Sequence, residues 1–339
     1  MRKRPFGKTN RSVSEVGLGC WQFGGDWGEC GDDDALNTLA AAVDAGVDFI
    51  DTADVYGAGR SEQLIGRFLR ERNLRGKLFI ATKLGRLHGY PDGYSLDQFR
   101  RDTEDSLRRL GVDAIDLTQL HCIPTDWMAR PEPFDWLRTL QGEGKIRAFG
   151  ASVESMDEAR LCLQQPGLAS LQVIFNIFRQ KPIGTLFQMA KVKDVALIAR
   201  LPLASGLLAG RFTKATTFPP RDHRNYNRDG ECFNVGETFA GLPFEKGVEL
   251  ADEVKAIFTR AGLLAPASAA HTQATMAQWA MRWILDYESV SVIIPGAKDP
   301  RQARDNAAVS ALPALPSGVR EELAKLYETK VKQHVRGAY

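Results

Sequence analysis

Leu78-Phe79-Ile80-Ala81-Thr82-Lys83, then Leu96 to Leu110, then Ile115-Asp116-Leu117-Thr118-Gln119-Leu120-His121: these three segments decide which fold the chain can adopt. The first and third are short, nearly continuous apolar runs, as expected of strands buried on both faces. The segment between them repeats its apolar residues at the 3.6-residue period of a helix. A buried strand, a helix and a second buried strand form a unit whose strands run parallel.

Working outward, the same kind of run recurs at Val16 to Cys20, Val47 to Asp51, Arg147 to Ser152, Leu171 to Asn176, Val195 to Arg200 and Val290 to Pro295, which makes eight in all. Helical periodicity fills most of the gaps, as in Asp34 to Val43, which opens on acidic residues suited to a helix N-terminus, and in Ser61 to Leu69. Eight alternations predict an α/β fold of the (β/α)8 TIM-barrel kind. An open doubly wound sheet is the competing architecture. It is disfavoured because no G-x-G-x-x-G opens a helix after the first strand. No linker divides the chain, so residues 1–339 are expected to form a single domain.

Two stretches break the rhythm. Residues 1–15, with the turn-like Gly7-Lys8-Thr9-Asn10, predict a hairpin ahead of the barrel. The segment from Phe212 to Phe244 is rich in Pro, Gly, Asn and Arg without periodicity and predicts a long loop after strand seven. Loops of that length are commonly functional lids.

Composition narrows the function. The 44 basic and 42 acidic residues are mixed along the chain, so no patch or tail points to nucleic acid. No apolar stretch approaches the length of a membrane span, and Met1 to Phe6 has no apolar run behind it, so neither a membrane partner nor a signal peptide is expected. Five cysteines in no C-x-x-C pair suit a reducing compartment, and a cytoplasmic location is expected. Nothing specifies an oligomeric state.

In a barrel of this kind the chemistry gathers at the C-terminal ends of the strands. Strand two ends at Asp51, three at Lys83, four at His121, five at Ser152 and seven at Arg200, while Tyr56 follows Asp51 on the next loop. An Asp at a strand end more often caps a turn, and a lone His is more often structural. Asp, Lys and His at three successive strand ends point instead to a site for proton transfer. A phenol with an ordinary pKa near ~10 is a weak acid at neutral pH, and Lys83 would tune Tyr56 downward by stabilising its phenolate. Asp51 would hold Lys83, and His121 would donate a hydrogen bond to a substrate oxygen. A barrel hydrolase would want paired carboxylates or clustered metal ligands there, and Asp51 alone is acidic, so no metal is expected.

These residues lie in motifs that resemble the aldo-keto reductase family: Phe49-Ile50-Asp51-Thr52-Ala53-Asp54-Val55-Tyr56-Gly57 with Ser61-Glu62, Ala81-Thr82-Lys83, and Asp116 to His121. The resemblance continues through Phe149-Gly150-Ala151-Ser152, Pro202 to Leu208 and Ile294-Pro295-Gly296-Ala297-Lys298, and so covers nearly the whole chain. It implies a TIM barrel that binds an extended nicotinamide dinucleotide, with Asp51, Tyr56, Lys83 and His121 as catalytic tetrad and Tyr56 as general acid. It implies that Ser152 and Gln172 hold the nicotinamide amide. The pyrophosphate would lie under Pro202, Leu203, Ser205 and Leu207, and Gly296, Lys298, Gln302 and Asn306 would meet the adenosine end. Trp21 is expected beside the cofactor, and Trp21, Trp27, Tyr90 and Trp127 are expected to overhang the mouth. Arg200 stands where an aromatic residue often stacks on the nicotinamide, and either stacks there itself or turns away in a salt bridge. Val153 stands where the family commonly has Asn, and Cys122 where many members have an aromatic residue.

The activity implied is interconversion of a small-molecule carbonyl (aldehyde, ketone or sugar) and its alcohol with NADP(H), NAD(H) being the alternative cofactor. Lys298 favours NADP(H), while the adjacent Asp299 works against a phosphate. A second reading is a dinucleotide-binding regulatory subunit with little turnover, like the potassium-channel β subunits.

Overall fold

The computed structural model describes residues 1–264 and 274–339. β1 (Lys3–Pro5) and β2 (Ser12–Ser14) pair antiparallel as the expected hairpin. β3 (Leu18–Gly19), β4 (Phe49–Asp51), β5 (Phe79–Leu84), β6 (Leu117–His121), β7 (Phe149–Ser152), β8 (Ser170–Ile174), β9 (Ala196–Arg200) and β10 (Val290–Ile293) form a parallel sheet in chain order. The sheet closes on itself: the Gly17 and Gly19 amides donate to the carbonyls of Ile293 (2.8 Å) and Pro295 (3.0 Å), and the Ile293 amide donates to Glu15 (3.0 Å). This is a (β/α)8 barrel. All eight apolar runs coincide with its strands; six contain their strand whole, and those at β5 and β8 fall one residue short, at Leu84 and Ser170.

The runs overreach the strands by a residue or two at the ends, where chemistry other than hydropathy takes over. Asn176, read as the end of strand six, lies two residues past β8 and donates its side-chain amide to the Leu201 carbonyl (2.9 Å). Helix bounds follow their caps. The helix Leu96–Leu110 starts where the Ser95 hydroxyl accepts from the Gln98 amide and stops at Gly111, whose φ of 65° lies in the left-handed region that glycine adopts most readily.

Alternation along each strand divides the barrel interior. At the N-terminal end Phe49, Phe79, Leu117, Ala148, Ile198 and Val292 form an apolar plug completed by Phe6 from the hairpin, whose ring lies 5.4 Å from Phe49 and 4.9 Å from Phe79. Further along the same inward faces come Asp51, Lys83, His121 and Ser152.

The long segment after β9 is ordered without long elements, through short helical turns at His223–Tyr226, Val235–Glu237 and Phe239–Gly241 that lead into the helix Phe244–Arg260. Its apolar side is an aromatic cluster in which Phe218 meets Phe212 at 5.3 Å and Phe239 meets Phe244 at 4.9 Å. Its other side reaches the barrel mouth, where the His223 amide donates to the Asp26 carbonyl (2.9 Å). Among the described residues no helix is long and apolar enough to cross a membrane.

Candidate active site

A cavity of about 880 Å³ opens at the C-terminal ends of the strands, and Asp51, Tyr56 and His121 line it. Lys83 lies beneath. Its ammonium donates to Asp51 Oδ1 (2.6 Å), to the Thr52 carbonyl (2.8 Å) and to the Tyr56 hydroxyl (3.2 Å), so all three N–H bonds are used. Asp51 Oδ2 accepts from Gln172 Nε2 (2.8 Å). The Asp51–Lys83 ion pair is almost completely buried, and these surrounding bonds are what make burying two charges tolerable. Burial pulls the Lys83 pKa down, but Asp51 outweighs it and the ammonium stays charged.

Tyr56 departs from the expectation of a lowered pKa. Burial raises its phenol and wins over the opposing Lys83 ammonium, leaving it at about 12. Tyr56 is therefore a full phenol near neutral pH, with a proton to give. Trp21 accounts for part of that enclosure: its ring is stacked on Tyr56 with centroids 6.0 Å apart, and Trp21 Nε1 donates to Asp26 (3.0 Å). The His121 ring meets Tyr56 edge-on at 5.8 Å. Burial, then the cations of Arg86, Lys83 and Arg200, push His121 well below the usual imidazole range, so it is neutral.

The expected cofactor residues line the same cavity with one exception. Trp21, Ser152, Gln172, Arg200, Pro202, Leu203 and Ser205 face it from the mouth, and Gly296, Lys298, Gln302 and Asn306 from its far end. Leu207 does not: its side chain is buried in the core against Gly247. An apolar residue that follows a kinked turn faces inward here, where hydropathy sends it. Positive φ at Leu201, Ala204 and Ser205 bends the segment after β9 sharply beneath the cavity. Asp299 is not a cavity residue but the N-cap of the helix Pro300–Ala307, accepting from the Gln302 amide (2.8 Å). Arg301, which no sequence signal marked, joins Lys298 in the lining.

Trp27 and Tyr90 line the mouth as expected, but Trp127 does not. It packs outside the cavity against Tyr94 (5.1 Å) and Trp136 (6.1 Å), under the Arg130 guanidinium (4.3 Å). An aromatic cluster with neighbouring helices offered it more contact than the mouth did.

Sequence reasoning missed an ionic cluster that runs from the half-buried Arg86 and Glu154 to the buried Arg200 and Glu237. Arg86, three residues past Lys83, donates to Glu154 (3.0 Å) and Glu237 (3.1 Å), and Asn234 donates to Glu154 (3.0 Å). Arg200 lies 3.4 Å from Glu237 and donates to the Val153 carbonyl (3.2 Å). Of the two readings of Arg200, its guanidinium is in the salt bridge, yet it still lines the cavity. Burial would raise Glu237, but Arg86 and Arg200 hold it down to about 2, while burial and Glu237 push Glu154 up. Cys122 Sγ and these two carboxylates have donor atoms within 4.8 Å of one another, but the arginines already balance their charge.

The barrel mouth thus joins a buried Asp–Lys pair to a phenol and a neutral imidazole in one cavity. The aldo/keto reductase family model matches residues 15–328, and the chain belongs to that family of nicotinamide-dependent oxidoreductases. It is 30% identical over 307 residues to the aldo-keto reductase YhdN of Bacillus subtilis, covering 87% of this chain and 84% of that protein. It is 28% identical over 328 residues to the NADH-specific methylglyoxal reductase of Escherichia coli, covering 91% and 93%. A solved glycerol dehydrogenase of Gluconobacter oxydans superposes with a TM-score of 0.77 at 29% identity, covering 99% of this chain and 98% of that one.

Proposed function

We propose that the chain reduces a small-molecule aldehyde, ketone or sugar carbonyl, and reoxidises the alcohol, with NADP(H) as cofactor and Tyr56 as general acid. The observation that carries this is the 3.2 Å contact from the Lys83 ammonium to the Tyr56 hydroxyl, in a cavity that His121 also lines. When bound, the nicotinamide supplies or takes up hydride.

The chain's own residues do the rest. Tyr56 holds a proton at Oη and gives it to the carbonyl oxygen as negative charge develops there. Lys83 stabilises the phenolate left behind, and Asp51 keeps Lys83 charged and oriented. Neutral His121 donates to the same oxygen. Trp21 stacks on Tyr56 and shields one face of its ring. Ser152 is a polar group available for the carboxamide of the nicotinamide, and Gln172, which gives one amide N–H to Asp51, keeps its carboxamide oxygen and second N–H for it.

The dinucleotide fits the residues present: the cavity runs from the tetrad to Lys298 and Arg301, two cations at the far end. The Asp299 carboxylate is turned to its helix cap and does not line the cavity, which supports NADP(H), while Asp305, 3.6 Å from Arg301, is the carboxylate at this end. The NADH-specific Escherichia coli relative means that this choice rests on these residues and not on family membership. The test is a panel of aldehydes, ketones and sugars with NADPH and with NADH, following nicotinamide absorbance. Turnover with NADPH preferred is expected. Tight binding of both cofactors with no turnover of any carbonyl would replace the enzyme with the regulatory-subunit reading.

A further inference from the structure

Between the apolar plug and the polar mouth lies a middle rung of the barrel that neither explains. On β6, Leu117 joins the plug and His121 lines the cavity, so by alternation Gln119 points inward between them. Gln119 is fully buried, and among the described residues neither its carboxamide oxygen nor its nitrogen has a hydrogen-bond partner. Its in-register neighbours are Lys83 on β5 and Gly150 on β7. Lys83 has no N–H left to offer. Gly150 has no side chain, and a Cβ there would collide with the hydroxyl of Ser170, which pairs with Gly150 on the next strand. The Ser170 hydroxyl is also buried without a partner among the described residues, and so is His121 Nδ1, one inward step above Gln119.

A buried polar group left unpartnered costs about 1–3 kcal/mol. The Gln119 N–H, the Ser170 hydroxyl and His121 Nδ1, on one face of adjoining strands, share a single remedy, an internal water with enough polar neighbours to be held in place. We propose that Gln119 is a positioning residue for His121: with the Ser170 hydroxyl it holds one internal water whose O–H His121 Nδ1 accepts, which leaves the imidazole proton on Nε2. The carboxamide N–H and the Ser170 O–H donate to that water, and the water donates to Nδ1.

The consequence rests on the reading above, in which His121 donates to the substrate oxygen. A neutral imidazole carries a single N–H, and the bond made at one nitrogen decides which nitrogen holds it. Nδ1 is enclosed in the barrel, so Nε2 is the nitrogen left to face the cavity. Only the Nε2–H form can donate there, and Gln119 selects that form without touching substrate.

The test is the ¹⁵N spectrum of the full chain labelled in histidine, with NADP⁺ bound near neutral pH and His121 assigned from the His121→Asn spectrum. Wild type is expected to carry a single Nε2–H tautomer at His121. Gln119→Leu keeps the volume, removes the amide and is expected to convert this to a mixture or to Nδ1–H. It is also expected to lower kcat by roughly tenfold at unchanged KM for NADPH. Ser170→Ala is expected to shift the tautomer in the same direction by less. The melting temperature gives an independent sign: Gln119→Leu lowers it if the amide is bonded and raises it if the amide is idle. A proton on Nδ1 in wild type, a tautomer indifferent to Gln119→Leu, or a more stable Gln119→Leu protein would each overturn the assignment. If the tautomer shifts as expected but wild type reduces no carbonyl, Gln119 keeps its role and the proposed chemistry falls.

Discussion

The two ends of the barrel interior are built by the same strands and hold opposite contents. At the N-terminal end Phe6, Phe49 and Phe79 stack into a plug, with Phe49 and Phe79 nearly parallel at 5.2 Å. Two to four residues further along β4, β5 and β6 the same inward faces carry Asp51, Lys83 and His121. The plug stabilises by contact alone and needs no specific partner. The mouth stabilises only while its charges stay paired, since a buried ion that loses its partner costs several kcal/mol. Stability is therefore expected to depend on both ends, and turnover on one.

The largest effects come from breaking each end in turn. Phe79→Ala leaves a cavity in the plug and is expected to cost about 3–5 kcal/mol in chemical denaturation, with turnover per folded molecule unchanged. Lys83→Met strands the Asp51 carboxylate and is expected to cost a comparable ~3–5 kcal/mol, but kcat should also fall by at least ~10². A loss of turnover in Phe79→Ala comparable to that in Lys83→Met would dissolve the distinction between the ends.

Glu237→Gln sharpens the comparison at the rim. It weakens the tie between the long segment after β9 and the Arg86 and Arg200 guanidiniums. A loss of about 1–3 kcal/mol is expected, together with faster proteolysis within residues 212–244 that added NADP⁺ reverses. Equal cleavage of wild type and variant would detach the cluster from the order of this segment.

Lys298→Ala reaches the far end of the cavity, away from the proton-transfer groups. It is expected to weaken NADPH by about 1.5–3 kcal/mol in a fluorescence titration, to leave NADH nearly unchanged and to leave kcat intact. Equal weakening of both cofactors would remove the 2′-phosphate contact.

The smallest expected effect is a flat region of pH. His121 is held neutral well below the ordinary imidazole range, and Tyr56 keeps its proton until about 12. Carbonyl reduction at saturating NADPH should show no inflection near pH ~6.5 and should decline only in the alkaline limb as the phenol ionises. An inflection near ~6.5 would make an imidazole, and not Tyr56, the donor.

How much of this was legible in the sequence follows the same division. The strands were readable because burial on both faces leaves continuous apolar runs, and Asp51, Lys83 and His121 were readable because they interrupt those runs at their ends. Arg86 and Glu154 carry a weaker form of that signal, since each lies two or three residues past a strand-end residue already singled out. Glu237 carries none: it lies in an aperiodic loop 151 residues from Arg86, and only the fold brings them together. Closure is implied by the count of eight strands, but the bonds that make it, such as Gly17 on Ile293, are not legible, because a backbone hydrogen bond leaves no mark on residue type. Trp127 and Leu207 were misplaced for the opposite reason. Their types suit both a core and a binding surface, and packing alone decides between them. The Tyr56 pKa went the wrong way because the cation beside it is visible in the sequence and the enclosure by Trp21 is not.

The central claim is that Tyr56 gives the proton and does not hold the cofactor. Tyr56→Phe keeps the ring under Trp21 and removes only the hydroxyl that Lys83 touches. Measured side by side, kcat for carbonyl reduction should fall by at least ~10² while the Kd for NADPH stays at its wild-type value. A Tyr56→Phe protein that binds NADPH and reduces the same carbonyl at an undiminished rate would contradict it.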